Sequence, residues 1–485
     1  MELLSVLPEA DVSRATPNPD ILRVRYDSRQ VVPGDLFVAI RGETADGFDY
    51  VPQAISRGAA AVVSDRPAPA GGPESVAWVR VEDPRRALAL LAARCAGNPA
   101  EKLVLAAVTG TNGKTTTAML LEALLAERHG NSGFLGTVAY RTGRRQVAAT
   151  RTTPEAPDIQ DLLAEMVEAG VPAAAIEVSS HALALDRIAG CRFDVAVFTN
   201  LTRDHLDFHG DMESYFSAKR RLFAMRKPAA AAVVNTDDAF GRRLAYEVAP
   251  PVLTYSPSGE QADVRVSSSH CDLTGTSVEV RHEGGTLPIA SPLLGRFNVE
   301  NLLAAAAAGL ALRMPPERIA AALPRVKRVA GRLEPVDAGQ SYAILVDYAH
   351  TEDALKRLLS AVRELTDKKV ILVFGCGGDR DKGKRFPMGF AAGRMADIPI
   401  ATSDNPRSED PEAILAEVER GLAASGATKY LKITDRREAI RTAIELANPG
   451  VVVVIAGKGH ETTQVIGDRA LPFDDRLVAA ELVRR

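Results

Sequence analysis

Short apolar runs separated by turn residues occupy the first hundred positions of the chain. The runs at residues 35–40 and 59–64 predict strands, and the Ala/Leu-rich pattern at residues 84–95 predicts a helix. Pro-Gly and Asp-Gly turns lie between them, and residues 97–99 have the composition of a linker. The pattern therefore predicts a small α/β domain over residues 1–99.

From residue 102 the hydrophobic pattern changes to longer buried runs that alternate with helical stretches. Continuous apolar runs, typical of strands buried on both faces, occupy residues 103–108, 173–178, 194–198 and 230–234. Between them lie helical patterns at residues 115–127, 158–169 and 214–225. This alternation predicts a mostly parallel sheet covered by helices, with a small β-rich insertion at residues 252–289. We assign residues 100–330 to this second α/β domain.

A further alternation of strand and helix begins near Gly331. Its apolar runs occupy residues 343–346, 370–374, 398–402 and 451–455, each followed by a helix or a turn. They predict a Rossmann-like α/β domain over residues 331–485. Three domains also suit a chain of 485 residues, since domains contain about 100–200 residues each.

Composition narrows the class of protein. Hydrophobic residues make up 46% and charged residues 25% of the chain, which excludes a disordered or fibrous protein. A net charge of -3 and an aromatic content of 5% argue against a nucleic-acid partner. The N-terminus lacks a signal-peptide pattern, the apolar run near residues 302–312 is too short to span a membrane, and the four cysteines form no CxxC pair. We therefore expect a cytoplasmic protein with no membrane partner.

The clearest local motif is TGTNGKTTT, which begins at Thr109 between a predicted buried strand and a predicted helix. Glycines let successive backbone N–H groups converge on phosphate oxygens, and the helix N-terminus adds its positive dipole end. Lys114 is placed to reach terminal phosphates and Thr115 to ligate Mg²⁺. The general pattern would place a glycine where Val108 stands, so an ordinary glycine-rich turn is the alternative. The predicted nucleotide-binding residues are Gly110, Thr111, Asn112, Gly113, Lys114, Thr115 and Thr116.

Polar motifs also follow other predicted strands. Glu177 ends one strand, and residues 204–209 bring two Asp and two His side chains close together after another. Such groups suit metal binding or acid–base chemistry, while a helix cap, an ion pair or a solvated loop is the alternative. In the third domain the motifs at residues 347–350, 404–407 and 457–461 each follow a strand. Because parallel strands end at a common edge, we expect these motifs to line one cleft for anionic substrates.

Seven motifs occur in order along the chain, within a resemblance that covers roughly residues 24–470: TGTNGKTTT, EVSSHAL, TNLTRDHLDFHGDMESYFSAK, LLGRFNVEN, GRLEP, DYAHT and DNPR. In these motifs the chain resembles the Mur ligases, whose P-loop also lacks the first glycine, and among them the members that add diaminopimelate. Members of the family use ATP to convert a carboxylate into an acyl phosphate, which an amine then attacks, while Mg²⁺ neutralises charge on the transferring phosphoryl group.

The resemblance implies an ATP-dependent amide ligase that joins meso-2,6-diaminopimelate to UDP-N-acetylmuramoyl-L-alanyl-D-glutamate. Such an enzyme acts in cytoplasmic peptidoglycan precursor synthesis, and thus in cell-wall biogenesis, cell shape and cell division. Its partners would be these small molecules and ATP, and we expect a monomer.

The resemblance also implies individual roles for residues that match the family motifs. The catalytic residues would be Lys114, Glu177, His205 and Lys219. Mg²⁺ would be held by Thr115, Glu177, His205 and Lys219, the last as a carbamate. Without the family, Lys219 would be interpreted as a surface helix lysine. Beside the P-loop, the ATP contacts would be Asn298, Arg332 and Asp347.

Two further sets of residues follow from the resemblance. The UDP-sugar peptide would be bound by Tyr26, Ser28, Glu43, Thr44, Ala45, Thr152, Thr153, Ser179, Leu185 and Arg187. Diaminopimelate would be bound by Arg380, Asp404, Asn405, Pro406, Arg407, Gly457 and Glu461. Within that set, Arg407 suits the far carboxylate of the amino acid, and Asp404, Asn405 and Glu461 suit the neighbouring ammonium.

Alternative functions remain open at this stage. A lysine-adding, D-Ala-D-Ala-adding or folate-glutamate ligase would differ at residues 404–407, and a nucleotide-dependent switch would use the same fold without ligation. Glu352 stands where the family often has proline, and Arg151 where some members have asparagine. These departures affect fine substrate contacts and leave the reaction class unchanged.

Overall fold

The computed structural model describes residues 2–7, 9–14, 18–42, 45–69 and 72–484. Two compact units contain them. The first comprises Met1–Val266, Val280–Leu287 and Asn301–Ala322, and the second comprises Ser267–Glu279, Pro288–Glu300 and Leu323–Arg485. The first unit contains two separate sheets and the second contains its own main sheet. The domain ends at residues 99 and 330 stay predictions.

The first sheet of unit 1 has five strands, in the order β1-β5-β4-β3-β2, with only the β1–β5 pair antiparallel. Its strands are Asp11–Arg14 (β1), Val24–Arg25 (β2), Leu36–Val38 (β3), Ala61–Ser64 (β4) and Ala77–Arg80 (β5). Its helices are Val51–Ser56 (α1) and Pro84–Cys95 (α2), and Asp83 caps α2 by accepting hydrogen bonds from two N–H groups of its first turn. The helix at residues 84–95 begins and ends as predicted.

Trp78, the one tryptophan of the chain, lies buried in β5 of this sheet. Its indole Nε1 donates to the carbonyl of Arg66 at 3.0 Å, and its ring meets Phe48 edge-on at 6.1 Å between centroids. The indole thus packs as a core side chain with its single donor satisfied.

The second sheet of unit 1 forms the centre of the chain. Its first strands are Val104–Thr109 (β6), Gly133–Leu135 (β7), Tyr140–Arg141 (β8), Gln146–Val147 (β9), Ala173–Glu177 (β10), Phe193–Phe198 (β11), Arg226–Asn235 (β12) and Val252–Ser256 (β13). Helices in the same stretch are Pro99–Lys102 (α3), Lys114–His129 (α4), Ala156–Glu168 (α5), Ser180–Ala184 (α6), Leu206–His209 (α7), Met212–Arg220 (α8) and Ala239–Glu247 (α9). The order β13-β12-β11-β6-β10-β7-β8-β9 places the apolar run of β6 at the centre, buried on both faces.

The register of the central strands determines where the loops that carry the predicted site residues leave the sheet. Glu177 pairs with Val108, and Phe198 pairs with Thr109, all in parallel strands. The loops that follow β6, β10 and β11 therefore leave the sheet at one edge, beside each other. The predicted insertion at residues 252–289 consists of β13 followed by Val264–Asp272 (β14), Gly275–His282 (β15) and Gly285–Ser291 (β16). Two helices follow, Arg296–Ala311 (α10) and Pro316–Ala322 (α11).

Unit 2 contains a six-stranded sheet in the order β17-β18-β22-β19-β20-β21, parallel except for β17. The strands are Glu334–Pro335 (β17), Ala343–Asp347 (β18), Lys369–Cys376 (β19), Ile398–Ser403 (β20), Leu431–Lys432 (β21) and Val451–Ala456 (β22), followed by the hairpin Thr463–Ile466 (β23) and Arg469–Pro472 (β24). The helices are Glu352–Leu365 (α12), Arg385–Met395 (α13), Pro411–Ala424 (α14), Arg436–Glu445 (α15) and Asp475–Val483 (α16). The carboxyl ends of β18, β22, β19 and β20 are consecutive neighbours.

A buried ion pair joins two helices of unit 2 below this edge. Arg436 and Asp475 are fully buried, and two hydrogen bonds of 2.8 and 2.6 Å connect them. The same guanidinium donates to the carbonyls of Ser403 and Ala456, the last residues of β20 and β22. One buried cation thus ties α15 and α16 to both strand ends.

Most of the predicted strands and helices are present, with ends shifted by a few residues. The helix predicted at residues 214–225 ends at Arg220 and continues as the 3-10 turn Arg221–Met225. The strand predicted at residues 230–234 begins earlier, at Arg226. Within the described ranges, none of the helices is both long and apolar enough to cross a membrane.

Candidate functional site

The P-loop connects β6 to α4 as the sequence predicts. Gly113 adopts a left-handed φ of +82°, and a Cβ there would lie 2.3 Å from Asn301 Oδ1, so the turn requires glycine. Because Gly113 has no side chain, it supplies no capping hydrogen bond to the first N–H groups of α4. Lys114 Nζ donates to the carbonyl of Thr111 at 2.9 Å, which folds the lysine back over the loop. This arrangement suits an anionic ligand at the helix N-terminus.

The loop after β11 braces the P-loop from one side. Thr111 N donates to the Asn200 carbonyl at 2.8 Å, and Asn112 N donates to Asn200 Oδ1 at 2.9 Å. Thr199 Oγ1 donates to the Asn112 carbonyl at 2.7 Å. These contacts hold the first half of the loop rigidly and leave the helix end for a ligand.

Glu177, at the end of β10, lies directly against the start of α4. Its carboxylate is buried and accepts from Thr115 Oγ1 at 3.0 Å. The Thr137 backbone N–H and hydroxyl also donate to it, at 3.0 and 2.9 Å. The sequence pattern did not single out Thr137, because nothing local marks a threonine as the partner of a distant carboxylate.

The oxygens of Thr115 and Glu177 are candidates for a cation site. No group of three or more His, Cys, Asp and Glu side chains stands in a metal-binding arrangement in the part of the chain that the structure describes. Mg²⁺ is usually held by one or two carboxylates together with waters and substrate phosphates. A hydroxyl and a carboxylate 3.0 Å apart at a phosphate-binding loop fit that pattern.

Lys219 lies in α8 with only 1% of its surface exposed. Its Nζ donates to the Gly110 carbonyl at 2.6 Å and stands 4.6 Å from the centroid of the Tyr215 ring. Burial, reinforced by the nearby Lys114 charge, lowers the pKa of Lys219 well below its usual value. The surface-lysine interpretation is therefore wrong, and the amine stands at the P-loop.

Three histidines cluster beside Tyr215. The His181 ring lies 4.7 Å from that of His205 and 5.6 Å from that of His209. His209 Nε2 is 3.0 Å from Ser180 Oγ, and burial, with neighbouring cations, lowers its pKa to about 4. His205, the predicted ligand, has a left-handed backbone, with φ of +52°, and its ring lies in the cluster.

The residues predicted to hold the sugar peptide continue from Glu177. Thr152 Oγ1 is 2.9 Å from Thr137 Oγ1. Thr153 Oγ1 donates to the Glu177 carbonyl at 2.8 Å and accepts from Ser179 N at 3.0 Å. The structure therefore brings Thr152, Thr153 and Ser179 together next to the predicted magnesium carboxylate.

Arg187 joins the same group. Its guanidinium donates to the Thr153 carbonyl at 3.2 Å and pairs with the buried Glu155 at 2.9 Å, while its Nε is buried without a partner among the described residues. Glu155 also pairs with Arg151 at 2.6 Å. Leu185 is the C-cap residue of α6, two positions before this arginine. Glu155 is a site residue that the sequence pattern did not reveal, and it orients both arginines.

The predicted uridine residues lie in the first sheet region. Tyr26 OH donates to Asp158 of α5 at 3.2 Å, and burial followed by this carboxylate raises the pKa of Tyr26. Ser28 Oγ donates to Gln53 at 2.6 Å. Ala45 closes a turn by accepting from Gly42 N at 2.8 Å. The predictions for Glu43 and Thr44 fall outside the described residues.

In unit 2 the residues predicted to contact ATP each interact with other residues of the chain. Asp347 is buried, and its two oxygens accept from Leu333 N at 2.8 Å and Ala349 N at 2.9 Å. The Arg332 guanidinium lies 5.7 Å from the centroid of the Tyr348 ring. Asn298 is buried and donates to the Leu294 carbonyl at 2.8 Å. Asp347 therefore orders the loop that carries Arg332.

The predicted amino-acid residues meet at the shared strand edge of unit 2. Asn405 Nδ2 donates to Glu461 Oε2 at 3.0 Å, and the fully buried Lys458 donates to the same Glu461 oxygen at 3.0 Å. Burial favours the neutral acid, yet the Lys458 ammonium holds the pKa of Glu461 below its usual value. Burial raises the pKa of Asp404, whose Oδ1 accepts no hydrogen bond from the described residues. Asp404 therefore offers an open acceptor.

Arg407 follows the buried Pro406 with a left-handed φ of +52°. Its Nη1 donates to the Gly378 carbonyl at 2.7 Å, which aims the guanidinium at the loop after β19. That loop also carries the exposed Arg380. Gly457 lies beside Asp404, since a Cβ there would be 3.4 Å from Asp404 Oδ2. These motifs follow neighbouring parallel strands as predicted, and their role in binding anionic substrates stays a prediction.

Comparison with known proteins decides the family. Residues 20–95 match the Mur ligase family catalytic domain, residues 108–309 the Mur ligase middle domain and residues 331–459 the Mur ligase glutamate ligase domain. A protein of Geobacillus thermodenitrificans is 47% identical, over 99% of this chain and 98% of its own. The chain belongs to the Mur ligase family. The resemblance inferred from the motifs and the three-domain α/β fold class are thereby confirmed.

Other Mur ligase relatives agree in name and coverage. The Geobacillus protein, one from Geobacter metallireducens at 46% identity (94% of this chain, 93% of its own) and one from Streptomyces coelicolor at 45% (100% and 96%) are each named UDP-N-acetylmuramoyl-L-alanyl-D-glutamate--2,6-diaminopimelate ligase. A solved structure with that name is 34% identical, with a TM-score of 0.73 over 99% of this chain and 98% of its own. A MurF ligase from Thermotoga maritima, solved in complex with ADP, shares the fold, at 21% identity and a TM-score of 0.61 over 95% of this chain and 96% of its own.

Proposed function

We propose that the protein is an ATP-dependent ligase that joins meso-2,6-diaminopimelate to UDP-N-acetylmuramoyl-L-alanyl-D-glutamate through an acyl phosphate. The observation that carries the proposal is the near-full-length similarity, at 45–47% identity, to relatives named for that ligation. The buried carboxylate of Glu177 and the buried amine of Lys219 at the P-loop support it, and so does the ion pair of Lys458 with Glu461 at the edge of the unit 2 sheet.

The P-loop residues would bind the nucleotide. The first turn of α4 offers backbone N–H groups and the positive dipole end to phosphate oxygens. Lys114 would leave the Thr111 carbonyl, 2.9 Å away, for the terminal phosphates. Arg332, Asp347 and Asn298 of unit 2 are further proposed ATP contacts, and Asp347 would act by ordering the Arg332 loop.

Thr115, Glu177, His205 and Lys219 would hold Mg²⁺. The bound metal would neutralise charge on the transferring phosphoryl group. Burial favours the neutral amine of Lys219, which is the form that reacts with CO₂ to give a carbamate. Because Lys219 is only 1% exposed, such a carbamate would place a buried negative charge beside Gly110. Thr137 and Thr152 would orient Glu177 and the sugar peptide relative to each other.

The charged groups of the sugar peptide and of the amino acid would each be bound by side chains of opposite charge. Arg187, braced by Glu155, has a buried unpartnered Nε that would donate to the anionic sugar peptide. Arg407 would pair with the far carboxylate of diaminopimelate, and Asp404 with the ammonium next to it. L-lysine would leave Arg407 without a carboxylate partner, which costs about a hundredfold or more in selectivity.

Product formation with both amino acids in competition tests the proposal. We expect phosphate release to require the UDP-sugar dipeptide and the amino acid together, and diaminopimelate to be strongly preferred. Arg407→Ala should lose that preference, whereas Arg357→Ala, an exposed arginine of the same unit, should keep it. Equal use of lysine by the wild type would favour the lysine-adding alternative, and ATP hydrolysis without either substrate would favour a switch.

The proposal includes a cellular setting. The product would enter peptidoglycan synthesis and so serve cell-wall biogenesis, cell shape and cell division. We propose that the protein acts as a monomer in the cytoplasm, where the UDP-linked substrate and ATP are found.

A further inference from the structure

Lys458 is a buried cation among the residues proposed to bind the amino acid. It follows β22 and has no exposed surface. Its Nζ donates to Asn405 Oδ1 at 3.1 Å and to Glu461 Oε2 at 3.0 Å, and it lies 3.7 Å from Asp404 Oδ1. One ammonium thus contacts all three polar residues that would meet the substrate ammonium.

The hydrogen bonds around Lys458 leave one fully buried acceptor open among the described residues. Asn405 Oδ1 is already used twice, by Lys458 and by Val465 N at 2.9 Å, and Asn405 Nδ2 is used by Glu461. Asp404 Oδ1 accepts no hydrogen bond from any described residue, although it is buried. The lysine therefore fixes Asn405 and Glu461 while a carboxylate oxygen stays available for a further donor.

The charged side chains around Lys458 also divide the subsite into a negative and a positive part. Arg436 and Asp475 neutralise each other through their two hydrogen bonds. Asp404 and Glu461 carry two negative charges, which Lys458 reduces to one. Arg407 and the exposed Arg380 supply the positive part of the subsite, which is separate from this negative part. Such a subsite matches a zwitterion, a carboxylate with an ammonium beside it, and not an ammonium alone.

We propose that Lys458 is a positioning residue that sets the charge of the amino-acid subsite and thereby its preference for a zwitterionic substrate end over a purely cationic one. The inference rests on the proposed function. Without the lysine charge, the part of the subsite formed by Asp404 and Glu461 would carry two negative charges instead of one. That negative part would then repel the far carboxylate of diaminopimelate and attract the far ammonium of L-lysine.

Two neutral variants separate charge from shape. Lys458→Gln keeps a donor for Asn405 and Glu461 but removes the charge, and Lys458→Met removes both. Lys432→Met is the matched control, because that lysine pairs with Glu419 at 2.8 Å elsewhere on the same unit. For each variant of the full chain, kcat and KM would be measured for meso-diaminopimelate, L-lysine and ATP.

We expect Lys458→Gln and Lys458→Met to lower the diaminopimelate-to-lysine ratio of kcat/KM about tenfold or more, chiefly through KM for diaminopimelate. KM for ATP and all constants of Lys432→Met should stay near wild type. Lys458→Gln, which retains an N–H donor at this position, guards against misfolding of Lys458→Met, and circular dichroism would check the folding of both variants.

The outcomes are distinct. A purely structural lysine would lower activity with both amino acids equally, so an unchanged ratio in folded Lys458→Gln would overturn the inference while the proposed function stood. A wild type that ligates neither amino acid would overturn the proposed function and the inference with it. A reduced ratio in Lys458→Gln with a normal KM for ATP would support it.

Discussion

Removing the buried guanidinium of Arg436 should destabilise unit 2 strongly. Arg436→Met leaves the fully buried Asp475 without its two hydrogen bonds of 2.8 and 2.6 Å, and it removes the donor that the guanidinium supplies to the carbonyls of Ser403 and Ala456. Breaking one side of a buried ion pair costs about 3–5 kcal/mol, because the remaining charge stays desolvated. For a domain of this size that corresponds to a fall of about 6–20 °C in Tm.

The assay is thermal and urea unfolding of the full chain, with hydrogen exchange of peptides from α15 and β22 as the local measurement. Arg357→Met is the control, since the Arg357–Asp353 pair is exposed and such pairs contribute at most about 1 kcal/mol. Arg436→Met/Asp475→Leu should recover much of the loss, because no unpaired charge remains. Equal Tm values for Arg436→Met and Arg357→Met would refute the reasoning.

Three further predictions concern activity. Lys114→Ala should reduce acyl-phosphate formation about 10²–10³-fold, since it removes the charge that would meet the terminal phosphates, and near-normal turnover at saturating ATP would contradict this. Lys219→Ala should be nearly inactive and partly restored by a short carboxylic acid in solution; a wild-type rate would exclude a role for its carbamate. Gly378→Ala places a Cβ 1.9 Å from the Pro406 carbonyl oxygen, so KM for diaminopimelate should rise while KM for ATP stays constant. An unchanged KM for diaminopimelate would show that this loop does not contribute to the amino-acid site.

The sequence predicted the parts of the site that depend on local pattern. The apolar run before TGTNGKTTT and the helix after it determine the P-loop, and the parallel strands place Glu177 and Thr115 together. Motifs at residues 404–407 and 457–461 share an edge because β20, β19 and β22 are parallel neighbours. Each of these inferences uses periodicity and strand direction, which a single sequence carries.

The supporting contacts were not predictable in the same way. Lys458 lies in a glycine-flanked turn, where a lysine is ordinarily solvated, and its burial results from packing against residues more than fifty positions away. Glu155 and Thr137 act on partners that only the fold brings near. Asn405 was predicted as an acceptor for the substrate, yet its oxygen is used by Lys458 and Val465, which leaves Asp404 as the open acceptor.

The position of Trp78 makes the chain convenient for optical work. With the single indole enclosed in the first sheet and its N–H held by the Arg66 carbonyl, selectively excited emission reports only the surroundings of that sheet. A denaturation curve followed by tryptophan fluorescence would then record the melting of the N-terminal region, whereas far-ultraviolet circular dichroism records every helix. Separated midpoints in the two signals would show that the sheets unfold one after another, and coincident midpoints would show that they unfold together.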